Sequence, residues 1–83
     1  MIKKQKVFEI HCEIINDKPV NGPMVYFKEY SFEKMIGWVW RNCQGCNQII
    51  IIPDVKVIAE FEDRVEVYTL LETEIPSSVP IEN

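Results

Sequence analysis

A chain of 83 residues with a formal net charge of −4 has the size of one small domain, which can bury a modest core without covalent staples. Its acidic balance argues against a binder of nucleic acids or anionic membranes, since both attract proteins through Lys and Arg. The longest uninterrupted apolar run covers residues 49–52, so no membrane span is predicted, and no signal peptide is evident. Three cysteines without a secretory signal predict free thiols and a cytoplasmic protein.

The charge is unevenly distributed along the chain. Residues 1–42 carry seven basic and five acidic side chains, whereas residues 43–83 carry two basic and eight acidic ones. A solvated surface is the favoured interpretation of the acidic stretch 60–74, and an acidic face for a basic partner is the alternative.

The first predicted strand runs from Val7 to Ile15, where apolar and polar side chains alternate. Turn residues at 16–23 predict a hairpin, with Met24–Tyr30 as the returning strand. One face of the first strand carries its apolar side chains, Phe8, Ile10, Cys12 and Ile14. The other face carries Glu9, His11 and Glu13.

A helix is predicted over about residues 31–44. Ser31 is a suitable N-cap, and Glu33 lies in the first turn, where negative charge is favoured. Gly45 stands where a left-handed C-terminal cap is expected. The buried stripe follows the spacing i, i+3, i+4, i+7 and comprises Phe32, Met35, Ile36, Val39, Trp40 and Cys43.

Three further strands are predicted after the helix. The apolar run at 47–52 is typical of a central strand that is buried on both faces. Pro53 and Asp54 interrupt this run as a turn or a bulge. Alternating strands at 55–61 and 65–71 then meet in a tight hairpin across residues 62–64.

The predicted fold is an α+β domain over residues 1–74 with a flexible C-terminal tail at 75–83, which is rich in Pro and Ser. Its element order, ββαβββ, suits one helix packed on a mixed sheet of four to five strands. We therefore expect a β-grasp-like arrangement.

The cysteines of the motif Cys43-Gln-Gly-Cys46 allow three interpretations. A redox pair is disfavoured, because a thiolate is stabilised at a helix N-terminus and this pair follows a helix. A zinc site could use Cys43, Cys46 and Cys12, or two chains could pool their pairs. No metal and no cofactor is the favoured interpretation, in which the thiols act as small buried hydrophobic groups.

No catalytic residues are predicted. His11, the single histidine, lies between Glu9 and Glu13 on the polar face of its strand, while Cys12 points to the opposite face. A glycine-rich phosphate loop is also absent from the sequence. We therefore expect a protein that is not an enzyme.

The candidate partner-binding site is a set of four helix residues, called the helix patch: Lys34, Trp38, Arg41 and Asn42. These positions are neighbours on the helix surface and lie off the predicted stripe. Trp and Arg dominate many protein interfaces, because they bury much area and keep polar groups. The alternative is that Trp38 packs back along the helix or against the C-terminal tail.

The sequence thus predicts a small, acidic, non-enzymatic protein-binding module, such as an inhibitor, adaptor or regulatory subunit of the kind that phages and other mobile elements encode. Its protein partner is unidentified and can be a second copy of the chain. The alternatives are a zinc-stabilised or zinc-bridged module and, less favoured, a nucleic-acid binder that uses its basic side chains, Lys3, Lys4, Lys6, Lys34 and Arg41.

Overall fold

The computed structural model describes residues 3–15 and 25–81. Its elements follow the predicted order ββαβββ: β1 (Lys4–Ile15), β2 (Tyr26–Phe27), α1 (Phe32–Asn42), β3 (Gln48–Ile52), β4 (Lys56–Glu60) and β5 (Val65–Pro76). The turn predicted at 16–23 lies outside the described residues. No helix in the described part is long and apolar enough to cross a membrane.

The five strands form one curled antiparallel sheet in the order β2-β1-β5-β4-β3. The α+β class is confirmed, but the mixed sheet and the β-grasp-like arrangement are wrong, because all four strand pairs among the described residues are antiparallel. The pairings make β2 and β3 run in the same direction. They lie at opposite edges of the sheet with β1, β5 and β4 between them, and so they do not form a parallel pair.

The longest strand pair joins β1 to β5. It runs from Lys4 opposite Pro76 to Ile15 opposite Val65 and links the N-terminal hairpin to the C-terminal strands. Two 12-residue strands extend about 40 Å, which accounts for the long dimension of the molecule, 47 Å. The pairing continues two residues beyond position 74, and the Ser77 N–H then donates to the Lys3 carbonyl at 2.9 Å.

The sheet face that packs against α1 is called the inner face, and the opposite face is called the outer face. Because residues directly opposite in a pair point to the same side, the register assigns each strand residue to a face. The predicted apolar face of β1 is the inner face. The buried core between sheet and helix comprises Ile10, Phe27, Phe32, Met35, Val39, Cys43, Val57, Ala59 and Tyr68.

The ends of α1 follow from its capping residues. Ser31 is the N-cap, as predicted, and its hydroxyl oxygen accepts a hydrogen bond from the Lys34 N–H at 3.2 Å. The C-cap is Cys43, whose N–H donates to the Val39 carbonyl. Gly45 lies two residues later in the following turn and has a φ of 93°, which glycine adopts without steric cost.

The predicted burial of Trp40 is wrong, since 58% of this residue is exposed. Trp38 is half-buried, and its ring contacts the Tyr68 ring edge-on, with centroids 5.7 Å apart. Each tryptophan is one residue from the buried Val39, and so about 100° from it around the helix. Spacing alone therefore does not decide which flank meets the sheet, and the Tyr68 ring fills the space beside Trp38.

The prediction that residues 47–52 form a central strand is also wrong. β3 lies at an edge of the sheet and has β4 as its one neighbour among the described strands. Two of its isoleucines are substantially exposed, Ile51 at 40% and Ile52 at 37%. A strand with the composition of an interior strand therefore occupies an edge.

The two tryptophans give a test of the helix orientation. We expect Trp38→Ala to lower the free energy of unfolding by about 2 kcal/mol, less than the ~3–5 kcal/mol of a fully buried aromatic residue. Trp40→Ala should cost less than about 1 kcal/mol, because an exposed side chain leaves no cavity. Urea unfolding measures both, and an equal or larger loss for Trp40→Ala would contradict this orientation.

Candidate functional site

The helix patch lies along one side of α1, with Lys34, Arg41 and Asn42 exposed. Trp38 is less available than predicted, because part of its ring lies against Tyr68. The Asn42 amide donates to the Trp38 carbonyl at 2.8 Å. The four residues are thus neighbours in the structure, and their binding of a partner remains a prediction.

A second group of side chains lies in the core between α1 and β5. The Cys43 thiol donates to the Tyr68 hydroxyl at 3.3 Å, and this hydroxyl donates to the Glu66 carboxylate. Cys12 lies directly opposite Tyr68 on β1 and packs against the same core. The alternation in β1 predicts Cys12 on the apolar face of its strand, whereas no pattern in the sequence points to Glu66 or Tyr68.

Glu66 is buried although it is a carboxylate, with 8% of its surface exposed. Its second oxygen accepts a hydrogen bond from the Arg64 Nε at 2.6 Å, so a cation offsets the cost of burial. The Arg64 guanidinium also contacts Asp63 at 2.9 Å and lies over the Phe61 ring at 3.9 Å. Arg64 thereby links the hairpin between β4 and β5 to the polar group in the core.

Burial raises the pKa of the Cys43 thiol, and the negative charge of Glu66 raises it further, while the hydrogen bond with Tyr68 lowers it. Burial also raises the pKa of the Cys12 thiol. The pKa of the Tyr68 hydroxyl is raised by burial first and then by its hydrogen bonds to Cys43 and Glu66. All three groups are therefore protonated at neutral pH, which makes the two thiols weak nucleophiles.

A zinc ion held within one chain requires at least three convergent ligands. The version in which two chains pool Cys43 and Cys46 stays a prediction. Among residues 3–15 and 25–81, no group of three or more His, Cys, Asp or Glu side chains is arranged to hold a metal ion. Cys46 is half-buried beside the core, and His11 is exposed on the outer face. The buried side-chain polar atoms of the described residues all have hydrogen-bond partners, so the Cys43–Tyr68–Glu66 group is internally satisfied.

The β3 edge, defined here as the outer margin of Gln48–Ile52, combines two features of a binding site. The first is unused backbone: in the described part of the chain β3 pairs on one side alone, with β4. The second is apolar surface, since Ile51, Ile52 and the nearby Val55 are exposed. The signal in the sequence is the run of four isoleucines without a charge, a composition that is also typical of an interior strand.

The outer face next to this edge is also apolar. Ile50 of β3 lies opposite Ile58 of β4, which lies opposite Val67 of β5. All three are only partly buried and lie outside the core against α1. An apolar row therefore leads across three strands to the β3 edge.

Comparison of the chain with protein-family models, with curated proteins and with solved structures gives no match. The functional proposal therefore rests on the residues of this chain and their geometry.

The raised pKa values predict a loss of stability in alkaline solution. Folding favours the protonated forms of Cys12, Cys43 and Tyr68. This stabilisation is complete below their ordinary pKa values of 9.0 and 10.0 and decreases as the pH rises above them. The urea midpoint should be lower at about pH 10.5 than at about pH 8. Tyr68→Phe should weaken the dependence of the urea midpoint on pH, whereas the surface control Tyr30→Phe should preserve it. Equal midpoints at the two pH values for the wild type would contradict the conclusion that folding favours the protonated forms.

The thiols themselves should differ in reactivity. Cys43 is 2% exposed and has a raised pKa, so we expect a maleimide to modify it more slowly than Cys46, which is half-buried. Mass spectrometry of peptides after timed labelling measures each rate, and unfolded protein provides the reference. Labelling of Cys43 as fast as Cys46 in the folded protein would show that the helix end does not bury it.

Proposed function

We propose that this protein is a non-enzymatic protein-binding module whose β3 edge accepts an extended segment of a protein partner as an additional strand. The observation that carries the proposal is the uncharged, isoleucine-rich edge strand Gln48–Ile52. Exposed edges of this kind are the usual place for strand addition, because main-chain groups and alternating side chains together recognise an extended peptide.

Backbone hydrogen bonding supplies the first part of the recognition. A strand that pairs on one side presents N–H and C=O groups along its other side, and a partner strand satisfies them in regular order. Natural edges usually discourage such pairing with lysines, prolines or bulges. Gln48–Ile52 contains neither lysine nor proline.

Apolar side chains supply the second part. Ile51 points to the inner face, opposite Val57, and Ile52 points to the outer face, opposite Lys56. A partner strand would therefore gain apolar contacts on both faces of the sheet, which adds the affinity of surface burial to that of the hydrogen bonds.

The helix patch supports the proposal less well than the β3 edge. Its aromatic residue, Trp38, already packs against Tyr68, so less of its area is available to a partner. Lys34 and Arg41 remain exposed and can contribute to association through their charge. A direct comparison of the two surfaces is therefore part of the test.

The test compares the proteins that tagged variants capture in the native host, untagged copies of this chain included, with recovery quantified by mass spectrometry. Ile51→Lys places a charge in the β3 edge and should reduce recovery of the specific partner at least tenfold, the loss expected of about 1.4 kcal/mol or more. Leu71→Lys is the matched control, because Leu71 is 49% exposed on the interior strand β5. Circular dichroism and urea unfolding verify that both variants remain folded.

A double variant of the helix patch, Lys34→Ala with Arg41→Ala, separates the two surfaces. We expect it to retain the partner that Ile51→Lys loses. Full recovery with folded Ile51→Lys, together with loss in the helix variant, would overturn the β3 edge as the binding site.

A further inference from the structure

We infer that the partner strand at the β3 edge is β3 of a second copy of this chain, paired antiparallel about a two-fold axis at Ile50. This inference rests on the proposed function, because it names the occupant of the same edge. Two copies would then share one continuous sheet of ten strands, with the helices of both copies on its inner face.

The composition of β3 favours an identical partner. Gln48–Ile52 has no charged residue, so antiparallel pairing with itself brings no like charges face to face. Full pairing of all five residues places the axis at the central residue. Ile50 then lies opposite Ile50, Ile49 opposite Ile51, and Gln48 opposite Ile52.

The central row of the outer face becomes apolar across both copies. In one copy this row runs from Val67 through Ile58 to Ile50, with Glu13 at its far end. Pairing at Ile50 joins it to the same row of the second copy and creates six consecutive apolar side chains, bounded by a glutamate at each end. Aliphatic cross-strand pairs of this kind stabilise sheets.

The two flanking rows bring opposite charges into line. Lys56 lies opposite Ile52, and Glu60 lies opposite Gln48, within one copy. In the pair, Ile52 lies opposite Gln48 of the second copy. Each row of side chains next to the central row then runs across the two copies in the order Lys56, Ile52, Gln48 of the second copy and Glu60 of the second copy. The backbones of Lys56 and of Glu60 of the second copy are about 14 Å apart, three strand spacings, so the long side chains face each other with complementary sign.

The inner face also gains contacts in this register. Ile51 is 40% exposed in the single chain, and its position opposite Val57 places it at the margin of the core. In the pair it lies beside Ile49 of the second copy, which already packs against the core. The exposed apolar surface of Ile51 in each copy is thus covered by apolar surface of the other copy.

Charge elsewhere on the molecule does not oppose this contact at close range. Asp54, in the turn after β3, is the exposed carboxylate nearest this edge, and in this register its two copies lie at opposite ends of the junction. Glu62, Asp63, Glu72 and Glu74 are exposed farther away, on the β4–β5 hairpin and on β5. β5 is two strands away from β3, beyond β4. The net charge of −4 on each copy therefore acts mainly at long range, where salt screens it.

The first experiment measures the mass of the purified full-length chain by sedimentation over micromolar concentrations. We expect twice the chain mass of 9.8 kDa for the wild type and for Leu71→Lys, and a single chain mass for Ile51→Lys. A monomeric wild type at every concentration would overturn the inference. A dimer that persists in folded Ile51→Lys would also overturn it, because the contact would then lie elsewhere.

The second experiment tests the register with introduced cysteines and diamide as the oxidant, which takes up the two protons and two electrons released when two thiols form a disulfide. Directly opposite residues have Cα atoms about 4.5–5.5 Å apart, within the reach of a disulfide, so Ile50→Cys should give a covalent dimer. Ile52→Cys is the matched control: the two copies of this residue lie about 13 Å apart and should not cross-link. The wild type reports any cross-linking through the native thiols, and efficient cross-linking of Ile52→Cys without Ile50→Cys would overturn the register.

The two proposals fail in different ways. A monomeric chain that still requires Ile51 to capture a host protein would overturn the second copy as the occupant and leave the protein-binding function standing. A monomeric chain whose Ile51→Lys variant captures host proteins like the wild type would overturn both.

Discussion

The pairing of β1 with β5 is the interaction on which the rest of the structure depends. It joins segments about 60 residues apart in sequence, from Lys4 opposite Pro76 to Ile15 opposite Val65. On one side lies a short hairpin strand, and on the other side lie β4 and β3. Because the core residues of α1 pack on side chains from both groups, neither group alone could cover the helix. Such long-range pairing has a substantial cost in loop-closure entropy, which must be met before burial of apolar surface stabilises the pair.

Tyr68 connects this sheet to the helix through chemically different contacts. Its ring meets Trp38, and its hydroxyl lies between the Cys43 thiol and the Glu66 carboxylate. Glu66 is held in turn by Arg64. A buried polar group of this kind costs stability whenever one partner is removed, and so it discriminates against alternative helix positions. We interpret it as the feature that selects which flank of α1 meets the sheet.

Local features of the fold could be predicted from the sequence, because they depend on neighbouring residues. Alternation in β1, the Ser31 cap and the hairpin at residues 62–64 all have local signals. Strand order could not be predicted, since antiparallel pairing of β1 with β5 depends on contacts across the whole chain. The same limit applies to the tryptophans, whose environment is decided by Tyr68.

In the candidate site, the positions of Lys34, Arg41 and Asn42 were predictable from helical spacing, but the exposed margin of β3 was not. The isoleucine-rich composition of β3 is typical of a strand with a neighbouring strand on each side, whereas among the described strands β3 has one neighbour, β4.

The two margins of the sheet are unequal, and this inequality limits the size of any assembly that forms through strand pairing. One margin is formed by the two-residue strand β2 and by the parts of β1 that extend beyond it, and the other is β3, which has five residues. A filament grows when each subunit has two sheet edges that pair with other subunits. A subunit with one such edge, which pairs with the same edge of a second copy, forms a closed dimer. Among the described margins, β3 is the one without charged side chains, whereas β1 carries Lys4, Lys6, Glu9 and Glu13, and charges on an edge strand discourage pairing. The fold therefore has one edge that can pair with a further strand and one that discourages pairing. Its isoleucines can support recognition, and assembly through them ends before a fibre forms.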